Sequence, residues 1–141
     1  MSRDRVTVLL VEDDDVDAES VMRSIRRSQV PVDLVWVEDG VEALDVLRGE
    51  HATETVERPV IVLLDLNMPR MDGFEFLGAL RSDPDLRDLV VFVLSTSSAD
   101  ADRTRAYHEN IAGYLVKSSV GPQFSRLARL LLTYQTAVTL P

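Results

Sequence analysis

At 141 residues, 45% hydrophobic and 28% charged, the chain has the size and composition of one domain with a single core, which leaves no room for a second. Its formal net charge of -9 argues against a surface built to meet nucleic-acid phosphates. The absence of cysteine excludes disulfides, thiolate chemistry and sulfur-ligated metals, and makes the cytosol the expected compartment. The first apolar run, Val6–Val11, stops at carboxylates, which fits no leader sequence, and no segment approaches the roughly 18 apolar residues of a membrane span.

That first run, rich in branched residues and without strict alternation, predicts a strand covered on both faces. Four acids follow it, Glu12, Asp13, Asp14 and Asp15. Residues 15–29 then have helical spacing, with Ala18, Val21, Met22 and Ile25 on one face, acids in the first turn and arginines in the last. A second strand is predicted at Val32–Val37. The next helix has Asp39 as N-cap, Ala43, Leu44 and Leu47 as its buried stripe and Gly49 as its stop. The polar stretch 48–59 predicts a surface loop before the third strand, Val60–Leu64, which runs directly into Asp65. The third helix buries Phe74, Leu77 and Leu80 and ends before Pro84. Residues 90–94 form the fourth strand, and residues 98–110 a helix so weakly apolar that it should be the least well anchored. Residues 114–116, preceded by Gly113, form the fifth strand. A last helix runs from Pro122 to about Thr136 with Phe124, Leu127, Leu130, Leu131 and Tyr134. Strands alternating with helices imply a parallel sheet with right-handed crossovers and helices on both faces.

In such sheets ligands bind beyond the carboxyl ends of the strands, where the strand order reverses. If the first and third strands flank that point, Glu12, Asp13 and Asp65 converge. Three carboxylates with no nearby base call for a hard divalent cation, and magnesium suits better than calcium because it takes few protein oxygens and keeps places for water or phosphate. Asp14, Asp15 and Asp17 are expected only to cap and solvate the following helix. Ser95 and Thr96 place hydroxyls at the end of the fourth strand, and Lys117 an ammonium at the end of the fifth. Acids for a metal, a hydroxyl and an ammonium make a receptacle for a phosphoryl group, with Asp65 as its nucleophile.

The motifs VLLVEDD, LLDLNMPRMDG, VLSTS and GYLVK stand in an order and at intervals that resemble a response regulator receiver domain of two-component signalling, over essentially the whole chain. The resemblance implies an α/β, flavodoxin-like (βα)5 fold with five parallel strands in the order 2-1-3-4-5. It implies one receiver domain over residues 1–141 with no output domain. It makes Asp65 the acceptor of a phosphoryl group from a sensor histidine kinase, Glu12 and Asp13 the acidic pair, and Asn67 a further magnesium ligand through its backbone carbonyl. Lys117 would pair with the phosphoryl group. The family's spacing from that lysine selects Ser95 as the switch hydroxyl, with Thr96 as the alternative, and Tyr114 aligns with the switch aromatic.

The chain departs from the family at Ser118, which follows Lys117 where a proline and a cis peptide are common. A cis bond before serine costs about 2.5 to 4 kcal/mol, so either a trans bond with an adjusted loop or a strained bond is expected. The long loop before the third strand, VLSTS and the TLP tail are similar to stand-alone regulators paired with phytochrome-type kinases. Such a protein is a phosphoacceptor rather than an enzyme in the usual sense. Its signal leaves by protein contact, through a surface of the fourth helix, fifth strand and fifth helix, or by passing the phosphate onward. Leu131 and Tyr134 on the last helix either offer a homodimer face on that surface or complete the core. Two rival functions remain: a magnesium-dependent aspartate-nucleophile phosphohydrolase, disfavoured because Asn67 stands where that chemistry needs a second aspartate, and a phosphorylation-independent binding platform.

Overall fold

The computed structural model describes residues 5–121 and 124–141. Along the chain come β1 (Val6–Val11), α1 (Asp15–Arg27), β2 (Val32–Val37), α2 (Gly40–Leu47), β3 (Val60–Leu64), α3 (Gly73–Ser82), β4 (Val90–Ser95), α4 (Asp100–Tyr107), β5 (Gly113–Val116) and α5 (Ser125–Ala137). The strands are parallel, in the order β2-β1-β3-β4-β5, as the resemblance implies. Successive strand side chains face opposite ways. Val8, Leu10, Ile61, Leu63, Phe92 and Leu94 pack with Ala18, Val21 and Ile25 of α1 and Leu127 and Leu131 of α5. Leu9, Val11, Val62, Leu64, Val91 and Val93 pack on the other face with α2, α3 and Ala106 of α4.

The expected two-sided burial holds in full for the central strands β1 and β3. The edge strands β2 and β5 are half-buried instead, because each has a neighbour on one side only.

Caps fix where the helices begin. The Asp14 side chain accepts hydrogen bonds from the backbone N–H groups of Val16 and Asp17, Asp39 accepts from Glu42, and Asp72 forms a reciprocal capping box with Glu75. Gly49 stops α2 at φ 74°, a conformation without strain only for glycine. Two helices are rotated from their expected faces. In α2 it is Val46 that is buried and Leu47 that is half-buried, and in α3 Phe76 is buried while Phe74 is half-buried. The two helices pack on each other as well as on the sheet, so the apolar stripe of each turns toward the shared seam.

Helix α4 has no side-chain cap, and Ala106 is its buried residue, in line with its weak apolar pattern. Its far end is tied down by α3. The Arg81 guanidinium donates to the carbonyls of Glu109 and Asn110, just past the helix, at 2.7 and 3.0 Å, and to those of Arg87 and Leu89, ahead of β4, both at 2.8 Å, and the Arg105 guanidinium lies 4.0 Å from the centroid of the Phe74 ring. In α5, Leu131 is buried in the core, and Tyr134 meets Phe92 edge-on with ring centroids 5.0 Å apart, so both complete the core. The expected proline in the first turn of that helix, Pro122, lies outside the described residues. Among the described residues no helix is long and apolar enough to cross a membrane.

The start of α3 leans directly on the end of β3. A Cβ on Gly73 would lie 2.6 Å from the Leu66 Cα and 2.7 Å from the Asp65 carbonyl oxygen, both backbone atoms. Gly73→Ala is therefore expected to destabilise the fold by about 2 to 3 kcal/mol, read as a lower midpoint in urea unfolding at unchanged slope.

Candidate functional site

Strand register builds the site. Val11 pairs with Leu64 across β1 and β3, and Ser95 pairs with Val116 across β4 and β5. The ladder runs one residue past the strands: the Glu12 N–H donates to the Val37 carbonyl and the Asp65 N–H to the Val11 carbonyl, both at 3.0 Å. Glu12 and Asp65 thus stand side by side at the carboxyl edge of the sheet, at the point where strand order reverses. Carboxylate oxygens of Glu12, Asp13 and Asp65 all lie within 4.8 Å of one another. Glu12 is 1% exposed and Asp65 7%, whereas Asp13 faces solvent and leaves one side open.

Such proximity is costly for like charges. Burial, followed by a hydrogen bond shared with Asp65, pushes the Glu12 carboxyl up to about 8 against the pull of Lys117. Asp13 is raised as well, by its own partial burial and then by the charge of Asp65. These shifts mark a site short of positive charge, and the donor set is the all-oxygen set that a hard divalent cation takes. The backbone around it is braced. The Trp36 indole N–H donates to the Glu12 carbonyl at 2.8 Å, and the Arg70 guanidinium makes a two-pronged pair with Asp39 at 2.9 and 3.0 Å, tying the loop after β3 to the start of α2.

Lys117 enters from the end of β5. Its ammonium donates to Glu12 Oε1 at 2.6 Å and to Asp17 Oδ2 at 2.7 Å. Burial alone would lower this ammonium, but the bonds to Asp17 and Glu12 outweigh it and hold it above its ordinary range, so it stays charged. The cis peptide bond among the described residues is Arg58–Pro59. The Lys117–Ser118 bond is trans, and the chain turns at once into a 3-10 turn, Lys117–Ser119, which is the adjusted loop.

Ser95 is fully buried at the end of β4, where its hydroxyl accepts from the Ser97 N–H at 3.1 Å, and Thr96 is exposed. The Tyr114 hydroxyl donates to the Ser97 carbonyl at 3.0 Å, so the ring lies against the loop that begins at Ser95. Asn67 is exposed, and its N–H points toward Asp65 Oδ1 at 3.4 Å. Three participants were not singled out from the sequence. Trp36 and Arg70 gave no signal in a strand and a loop. Asp17 was expected to be solvated but pairs with Lys117, a hundred residues away.

Comparison with known proteins adds four findings. Residues 8–128 match the family model described as response regulator receiver domain. The chain is 36% identical over 111 residues to the response regulator Rcp1 of Synechocystis sp., covering 79% of this chain and 76% of that protein. Among solved structures it is similar to the Mn2+-bound form of Rcp1, with TM-score 0.83, 32% identity and coverage of 96% and 98% of the two chains. It is also similar to the phosphorylated cyanobacterial phytochrome response regulator RcpA, with TM-score 0.82, 35% identity and coverage of 97% and 99%.

Proposed function

The chain belongs to the family of response regulator receiver domains, signalling proteins that are phosphorylated on an aspartate and switch conformation in response, and we propose that its phosphoacceptor is Asp65. The observation that carries this is the convergence of the Asp65, Glu12 and Asp13 carboxylates on one sheet edge with Lys117 bonded into the same group. Receiver domains bind magnesium at an acidic pocket, and the residues present here fit it. We assign Glu12, Asp13, Asp65 and the Asn67 carbonyl as its holders. When bound, the ion screens the negative oxygens of donor and acceptor from one another.

The chain's own groups do the rest. An Asp65 oxygen attacks the phosphorus of a phosphohistidine; the new O–P bond forms as the P–N bond breaks, and the electron pair leaves with the histidine ring. Lys117 is the nearby cation for the added charge, and the Ser95 hydroxyl can turn from the Ser97 N–H to donate to a phosphoryl oxygen. We choose Ser95 over Thr96 because it is buried at the strand end while Thr96 faces water. Movement of Ser95 carries the Ser97 carbonyl on which the Tyr114 hydroxyl rests, which makes Tyr114 the reporter of the switch.

The partner is a sensor histidine kinase, which the chain meets in the cytosol. Similarity to a phytochrome response regulator favours a phytochrome-type one. The signal leaves through the α4, β5 and α5 surface or by onward transfer. Self-association on that surface would use Leu132 and Tyr107, which are exposed there.

The test is labelling. With magnesium and acetyl phosphate the chain gains one acid-stable, alkali-labile phosphoryl group; sustained release of phosphate from phosphomonoesters would mark a hydrolase instead. Ser95→Ala is expected to keep the labelling but lose the response of the Tyr114 ring, measured as its NMR shift on adding beryllofluoride.

A further inference from the structure

Lys117 is shared between two carboxylates of different standing. Glu12 belongs to the acidic cluster whose charge a cation would neutralise, whereas Asp17 lies outside that cluster, in the first turn of α1. Asp17 is also the less enclosed partner, its side chain 32% exposed against 1% for Glu12. With a cation on Glu12, Asp17 is left as the strongest anion on the lysine. An ammonium has three N–H donors, and Glu12 and Asp17 take two of them at 2.6 and 2.7 Å. Phosphoryl oxygens on Asp65 must therefore draw the lysine against the hold of Asp17.

We propose that Asp17 is a positioning residue that holds Lys117 back from Asp65, so that occupation of the site by a phosphoryl group loosens the tie between β5 and α1. This rests on the reading of Asp65 as phosphoacceptor. Asp17 thereby weakens the phosphorylated state and links it to α1, a helix otherwise joined to the sheet by its apolar face. The pair is partly exposed, which limits the effect to a modest one.

The experiment is a titration of the full chain with beryllofluoride, a phosphoryl mimic, at saturating magnesium. Trp36, the chain's one tryptophan and a hydrogen-bond partner of Glu12, reports binding by its emission, with 19F NMR as a cross-check. Asp17→Asn is expected to bind roughly threefold to tenfold more tightly than wild type. Asp17→Glu, which keeps the charge, stays close to wild type. In a Lys117→Met background Asp17→Asn should have no further effect, which a merely structural role for Asp17 would not produce. Unchanged or weaker binding by Asp17→Asn, or a gain that persists without Lys117, overturns the proposal. Failure of wild type to bind the mimic overturns the Asp65 reading itself, and the role of Asp17 with it.

Discussion

Asp65→Asn is expected to remove covalent labelling by acetyl phosphate altogether, a loss of at least about a thousandfold in rate. The substitution preserves shape and replaces a carboxylate oxygen with a far weaker amide nucleophile. Nothing nearby can stand in. Glu12 and Asp13 belong to the same cluster, but Glu12 is engaged by Lys117 and Asp13 opens to solvent. The fold should survive, because removing one of three crowded carboxylates relieves repulsion. Glu12 is raised partly by its hydrogen bond to Asp65, and Asp13 partly by the charge of Asp65, so both should fall toward ordinary values. Intact-mass measurement after incubation with magnesium and acetyl phosphate reads the labelling, and a melting curve reads the fold. Full labelling of the Asp65→Asn variant would place the acceptor elsewhere.

Magnesium is expected to raise the melting temperature by about 5 to 10 °C when present at a hundred times its dissociation constant, equivalent to about 2.7 kcal/mol. The effect should depend on pH in a stated direction. Glu12 titrates near 8 in the folded, metal-free chain against 4.5 ordinarily. A metal ligand must be deprotonated, so affinity falls as pH drops below about 8 and levels off above. Without metal the sign reverses. The folded chain holds the Glu12 proton longer than the unfolded one, so this group's contribution to stability declines from about pH 4.5 to about pH 8 and is flat beyond. Melting curves at pH 6.5 and 8.5, with magnesium and with EDTA, should show the gap between the two conditions widening at the higher pH. An equal gap at both would separate Glu12 from the metal.

Strands could be read from the sequence because their signal is local: a run such as Val60–Leu64 suits a covered strand whatever surrounds it, whereas their order came from the resemblance to receiver domains. The convergence of Glu12, Asp13 and Asp65 followed from strand order and needed no side-chain detail. What escaped was set by neighbours. Phe76 rather than Phe74 is buried, and Val46 rather than Leu47, because α2 and α3 share a seam that helical spacing cannot point to. Asp17 has the spacing of an ordinary first-turn acid, and only the arrival of Lys117 from β5 gives it a partner. The trans bond after Lys117 could not be decided from Ser118 alone, since a 3-10 turn absorbs the change in direction.

The bonds of Arg81 to the Glu109 and Asn110 carbonyls make the end of α4 nearest β5 a fulcrum. Hydrogen bonds from a charged donor are each worth about 1.5 to 3 kcal/mol, and Arg105 stacked on Phe74 grips the same half of the helix. The opposite end carries no side-chain cap and adjoins the Ser97 loop. On the reading of Asp65 as phosphoacceptor, a push delivered at Ser95 is expected to swing α4 at its Asp100 end, so that the surface it forms with β5 and α5 is re-aimed rather than melted.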